Sequence, residues 1–218
     1  MFFNNPDVLE ITLLSLKVSG LATLISILIG LPFGTVLALS KFTGRSFILT
    51  VVNTGMALPP VVVGLAVAMA LWRSGPFGSL HLIYTPSAII IAQVVIAAPV
   101  VTGLTTAALQ TLDPRLRQQL LGLGASRLQM IFNIWREARL PLLAAFMAGF
   151  GSVISEVGAS MMVGGNIRHQ TRVLTTAIVL ETGKGEFGNA IALGILLLLI
   201  TFFINYTLTW IQQKGAYR

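Results

Sequence analysis

Residues 18–40 read VSGLATLISILIGLPFGTVLALS, a stretch without a single Asp, Glu, Lys or Arg. A hydrocarbon core of about 30 Å takes roughly 20 helical residues to cross, so this stretch is long enough for one span. The same lack of charge recurs over 46–72, 74–112 and 187–213, and from 140 to 167 the only charge is Glu156. The run 74–112 opens on a loop containing Gly, Pro and His and therefore holds one crossing, not two. Five transmembrane helices follow, at about 10–40, 46–72, 86–110, 141–163 and 188–211.

Composition agrees. The 218 residues include 14 Lys+Arg and 7 Asp+Glu, or 10% charged, against 55% hydrophobic. A soluble domain carries about 25% charge. So few charges cannot coat a globule of this size, which nearly excludes a soluble domain and points to an all-α polytopic membrane protein. The absence of cysteine rules out a disulfide scaffold, a thiolate metal site and a cysteine nucleophile. Asp7 and Glu10 stand where a cleavable signal would be basic, and the first apolar run is too long for a signal core. Five spans leave no stretch for a globular catalytic domain, so the chain is not expected to be an enzyme. The net charge of +7 is explained by basic inter-helix loops, so no nucleic-acid partner is expected.

Lys and Arg favour the cytoplasmic side. With the N-terminus outside, the inner segments carry Lys41, Arg45, Arg115, Arg117, Arg127, Arg136, Arg139, Lys214 and Arg218. The outer segments carry Lys17, Arg73, Arg168, Arg172 and Lys184. This asymmetry favours an N-out, C-in topology, with 111–140 inside and 164–187 outside.

Within the spans, Thr12, Ser15, Ser19, Thr23, Ser26, Gly30 and Gly34 recur at helical spacing and form one small-residue face for close packing. Pro59 and Pro60 remove two backbone donors near the middle of the second span. A helix broken there either lines a pathway or is a buried kink satisfied by a neighbour. Pro99 is a milder version, with Gln93 one and a half turns earlier. Thr85-Pro86 and Asp113-Pro114 read as helix starts. In 126–138, Leu128, Ile131, Ile134 and Trp135 form an apolar face opposite Arg127, Asn133, Arg136 and Glu137. Such a helix suits either a lipid surface or a groove on a partner.

Glu156 is the isolated charge within a span, a functional-site hypothesis by default. It shares a mostly small face with Gly149, Ser152, Ala159 and Val163, which should look at protein or a cavity. The outer loop gathers Arg168, His169, Arg172, Glu181, Lys184 and Glu186. His169 has no further ligand at metal spacing, so no metal site is expected. Gly183-Lys184-Gly185 lacks the Ser/Thr of a phosphate loop, and no nucleotide site is visible. The sequon at Asn205 falls within the last span and is set aside.

The stretch Leu123-Gly-Ala-Ser-Arg-Leu-Gln-Met, followed by Arg139-Leu-Pro-Leu-Leu, resembles the EAA loop of ABC-importer permeases. Gly124, Ala125, Ser126, Leu140 and Pro141 match. Gln118-Gln119-Leu120 replaces the Glu-Ala-Ala triplet, and the Gly124-to-Pro141 spacing is about one helical turn longer than usual. Ala57-Leu-Pro-Pro-Val-Val-Val-Gly64 and Ser155-Glu-Val-Gly-Ala-Ser-Met-Met-Val-Gly-Gly-Asn166 look like the permeases of molybdate, tungstate and sulfate importers. Arg136-Glu-Ala-Arg-Leu-Pro141 and the stretch Thr171–Thr182 look most like the tungstate-specific branch.

The resemblance implies a type I ABC importer permease fold in a prokaryotic cell (inner) membrane. The partners it implies are a second copy of the chain, two cytoplasmic ABC ATPase subunits that bind ATP and Mg, and an extracytoplasmic substrate-binding protein. No cofactor would be bound by this chain itself. It implies ATPase coupling through Gly122, Gly124, Ala125, Ser126 and Arg127. A translocation path or gate would involve Pro59, Pro60, Ser152, Glu156, Gly158 and Asn166. Arg168, Arg172 and Lys184 would dock the binding protein. A metal oxyanion carries negative charge that Glu156 would repel, so Glu156 is expected to serve a gate or an interhelix hydrogen bond and not to be a ligand. Tungstate is the favoured cargo, with molybdate, sulfate or another small anion as alternatives. A membrane scaffold that docks a soluble partner is a rival of another class, and it leaves the proline break and Glu156 unexplained. A secondary carrier would show repeated halves, and none are detectable.

Overall fold

The computed structural model describes residues 6–216, and the described residues form helices and connections without a strand. Arg218, one of the inner basic residues, lies outside them. The helices are α1 (Pro6–Leu39), α2 (Arg45–Met56), α3 (Pro60–Leu71), α4 (Pro86–Gln110), α5 (Pro114–Gly122), α6 (Arg127–Glu137), α7 (Arg139–Ile154), α8 (Gly158–Gly164), α9 (Leu174–Gly183) and α10 (Phe187–Ala216). Three stretches, Pro6–Leu39, Pro86–Gln110 and Phe187–Lys214, are each long and apolar enough to cross a membrane. The number rises to five if the bent pairs α2–α3 and α6–α7 each count as one span.

The centre is α1 against α4. Ser15, Ser19, Thr23, Ser26, Gly30 and Gly34 of the small-residue face are buried. A Cβ on Gly34 would stand 2.7 Å from the Thr102 carbonyl oxygen, so only hydrogen fits there. The hydroxyls of Ser15 and Thr23 donate to the carbonyls of Ile11 and Ser19 one turn back, which satisfies them inside their own helix. Thr106 Oγ1 also reaches Gly34 O across the interface, at 3.3 Å.

Two expectations change. The second span is not a kinked helix. α2 stops at Met56, Pro60 opens α3 at its first turn, and the axes bend by 101°. A proline at that position forfeits only an N–H that a helix start leaves unpaired anyway. Its neighbour Pro59, extended at φ −61° and ψ 123°, prevents α2 from continuing. The expected span 141–163 is interrupted as well. α7 ends at Ile154, Ser155–Val157 is non-helical, and α8 begins at Gly158. Glu156 therefore sits in a helix break, not within a helix.

The segment 164–187 is more than a charged loop. It contains α9, whose Leu174 and Ala177 pack with Val8 and Leu193. The N–H of Leu174 donates to Ser15 Oγ at 2.8 Å, so α1 satisfies the start of α9. At the other end, Met130 and Ile134 of α6 lock into Ala108, Leu109, Ala138 and Leu142. Trp135 Nε1 donates to Thr35 Oγ1 at 2.9 Å. The α5–α6 segment is thereby fixed to the ends of α1, α4 and α7.

Candidate functional site

The two interruptions meet. A Cβ on Gly64 of α3 would lie 2.6 Å from Ala159 Cα of α8, and one on Gly158 would lie 2.5 Å from Val61 Cγ2. The proline elbow and the α7–α8 break are thus adjacent, with backbones in near contact. Pro59 is exposed and Pro60 half-buried there. Met56, Leu58, Val61, Val62 and Leu65 of the elbow, and Met161 and Met162 of α8, are exposed. They form an apolar face around the junction.

A break in an apolar setting must have its backbone groups satisfied by the protein. Three side chains do this. Glu156 is only 7% exposed, and its Oε1 accepts the N–H of Ala159 at 2.7 Å, capping the first turn of α8. Thr175 Oγ1 of α9 donates to the Glu156 carbonyl at 2.8 Å. Gln93 Nε2 of α4 donates to the Val153 carbonyl at 3.1 Å. The sequence drew attention to Glu156 but gave no role to Thr175. It placed Gln93 only beside Pro99. The signal available was a polar amide in an apolar span, which has to find a partner. Ser152 closes on its own helix, donating to Gly149 O at 2.8 Å.

This geometry gives Glu156 a separable test. Glu156→Gln keeps an acceptor for the Ala159 N–H, and Glu156→Ala removes it, at a cost of about 1–3 kcal/mol for the orphaned buried donor. The expected result is near-native thermal stability for the glutamine variant and a clear loss for the alanine variant. Equal behaviour of the two would show that the cap does not matter.

The stretch 122–127 is a tight turn between two helices. Gly124 has φ +84°, the left-handed conformation that favours glycine after a helix end. The N–H of Ala125 reaches Leu120 O and that of Gly124 reaches Leu121 O, both at 3.0 Å, the paired bonds of a glycine stop. Two residues later Ser126 starts α6 with a capping box. Its Oγ accepts the Gln129 N–H at 3.3 Å, and Gln129 Oε1 accepts the Ser126 N–H at 2.8 Å. Gly-Ala-Ser is thus a stop and a start in three residues. Gly122, Gly124, Ser126 and Arg127 are exposed, and Ala125 is half-buried.

The expected apolar face of α6 needs correction. Ile134 is buried, with Met130 one turn before it, but Leu128 is 71% exposed. Leu123 and Phe132 are also exposed, at 86% and 65%. The turn therefore presents large apolar side chains that its own chain does not cover.

On the far side, the three cations expected to dock a partner are engaged within the chain. Arg168 pairs with Asp7. Arg172 Nε donates to Asn166 Oδ1 at 3.2 Å and its Nη2 to Asn166 O at 3.3 Å. Lys184 Nζ contacts Glu181 Oε1 at 2.7 Å. Asn166, expected along the path, sits in the loop after α8 with φ 52°. His169 is not isolated from other ligand types. Its Nδ1 lies 2.7 Å from Glu10 Oε2, with Asp7 close by. These partners come from the start of α1, far away in sequence, which is why spacing along the chain missed them.

The fold and these features define a multi-helix membrane protein. The chain belongs to the family of binding-protein-dependent transport system inner membrane components, whose model matches residues 30–215. It falls with the tungstate and molybdate branch of ABC permeases. It is 40% identical over 210 residues to the tungstate uptake system permease protein TupB of Peptoclostridium acidaminophilum, covering 96% of this chain and 92% of that one. It is 29% identical to the molybdenum transport system permease protein ModB of Escherichia coli K12, covering the whole of both chains. In fold it is similar to a chain of the MetNI methionine ABC transporter in an inward-facing conformation. The TM-score is 0.73 at 18% identity, with 95% of this chain and 94% of that chain covered.

Proposed function

We propose that this chain is the membrane subunit of an ATP-driven importer of a small oxyanion, tungstate foremost, delivered by an extracytoplasmic binding protein. The observation that carries the reading is the α5–α6 turn. It is rigidly anchored to three spans, exposes Leu123, Leu128 and Phe132, and belongs to a chain whose sequence holds no nucleotide motif. Such a surface suits a partner that supplies ATP hydrolysis, with ATP and Mg held by that partner. Gly122, Gly124, Ala125, Ser126 and Arg127 form the coupling element, and two ATPase subunits serve two copies of the chain. The chain crosses the membrane five times, N-terminus out and C-terminus in, which puts the turn in the cytoplasm.

The apolar face around Pro59, Pro60 and Gly158 is where the second copy meets this one and the path runs between them. Glu156 stands behind that face as the support of the α7–α8 break, with Ser152 beside it on α7. A buried carboxylate is a poor ligand for an anion, so substrate selection lies with the binding protein, whose oxyanion would be held by N–H and hydroxyl donors. Arg168, Arg172, Asn166 and Lys184 shape the outer surface on which that protein lands. Tungstate is favoured by the higher identity to a tungstate permease, and molybdate is the second reading.

The test is co-purification from the native membrane together with uptake of labelled tungstate and molybdate. An ATPase subunit is expected to accompany the wild-type chain and to be lost from Gly124→Glu or Arg127→Glu, with uptake falling in parallel. A stable complex without an ATPase, or uptake that survives ATP depletion, would overturn the reading.

A further inference from the structure

Where α1 and α4 end, beside the start of α2, the structure has an open cavity of about 370 Å³ whose lining includes Lys41, Arg45 and Arg117. One carboxylate, Asp113, shares the wall. Its Oδ1 already accepts the Arg115 N–H at 2.8 Å, as the cap of α5. The remaining wall is largely apolar, with Leu109, Leu112 and Ile134 among its members. Arg45 Nε donates to Leu37 O at 2.7 Å and Arg117 Nη1 to Leu39 O at 2.6 Å, which satisfies carbonyls at the end of α1. Each guanidinium has five N–H donors, so most are left over. The two bonds fix the cations in place without using them up. Lys41 is exposed and makes no hydrogen bond or ion pair among the described residues.

We propose that this cavity binds the phosphate group of an anionic membrane phospholipid. Three cations against one carboxylate already in use select an anion. The position selects a lipid. The charge-free stretch 18–40 of the chain and charge-free α4 give way to polar chain here, which is the headgroup level of a bilayer, and the apolar part of the wall matches the carbons next to a headgroup. Basic pockets between spans at this level hold anionic headgroups elsewhere. The site anchors the α1–α2 connection and the start of α5 to the membrane surface. It goes beyond the transport reading and does not depend on which anion is carried.

The experiment uses the full chain, extracted in mild detergent, exchanged into phosphatidylcholine with added phosphatidylglycerol, and analysed by native mass spectrometry. Phosphatidylglycerol is expected to stay bound to the wild type. A cation near a membrane surface is worth about fivefold in lipid affinity. Lys41→Gln, which breaks no hydrogen bond of the fold, should therefore retain the lipid about fivefold less well. Adding Arg117→Gln should deepen the loss further. Lys214→Gln, which removes a cation on α10 outside the cavity, should lower retention less than Lys41→Gln does. Unchanged retention in Lys41→Gln, or equal loss in Lys214→Gln, would overturn the proposal. Displacement of the lipid by inorganic phosphate at matched concentration would overturn it in favour of a free-anion site.

Discussion

Gly64→Ala is expected to abolish transport and to lower the thermal stability of the purified chain. The added Cβ would lie 2.6 Å from Ala159 Cα and 3.1 Å from Met162 Cβ. The nearer atom is backbone, so no side-chain rotation relieves the clash, and α3 and α8 have to separate. Overpacking of this kind costs about 1–3 kcal/mol, a factor of roughly 5 to 150 in an equilibrium constant. The displacement falls where the two broken helices touch, so the proline elbow moves with α3. Gly20→Ala serves as the control, because a Cβ there meets nothing within 4 Å. Native melting and uptake in Gly64→Ala would mean that the α3–α8 contact is looser than the structure shows.

The second large effect concerns the turn between α5 and α6. Leu128→Asp, alone or with Leu123→Asp, is expected to leave folding intact and to remove the ATPase partner. Both side chains are mostly exposed, and substitutions at such positions usually change stability by less than about 0.5 kcal/mol. Buried at an interface, an apolar anchor is worth about 2–4 kcal/mol, and a desolvated carboxylate in its place adds to the loss. Affinity should fall by about 30-fold or more, read as loss of ATPase from the purified complex and loss of uptake. The buried neighbour Ile134→Asp gives the contrast, since it should fail to fold. A Leu128→Asp chain that retains its partner at full affinity would remove Leu128 from the docking surface.

How much of this was legible in the sequence differs from residue to residue. The small-residue face of α1 was readable because helical spacing alone brings Ser15, Ser19, Ser26 and Gly34 to one side. Pro59-Pro60 announced a break, but no local rule sets an angle of 101°, which depends on where α3 finds α8 to pack against. Glu156 stood out by its charge. Its partners are the Ala159 N–H, three residues on, and Thr175 through its own carbonyl. Only the interruption of α7, invisible in an apolar run, makes that arrangement possible. The apolar positions read for α6 included Ile134 but passed over the buried Met130, and a helix that buries one apolar face and leaves another exposed has much the same periodicity as one that buries both. Leu128 and Ile134 could be told apart only by what covers them.

The sequence by itself determined the solvent. Its charge-free runs are long enough to span a bilayer, and its Gly-Ala-Ser turn stops one helix and starts the next through purely local bonds. Tertiary structure decided everything that needed a distant partner. It joined the two helix breaks through Gly64 and Ala159, satisfied the second break with Gln93 and Thr175, and tied Arg168 and His169 to Asp7 and Glu10. Hydropathy and capping act over one or two turns of chain, whereas a buried polar group takes its partner from whichever helix packing brings to it.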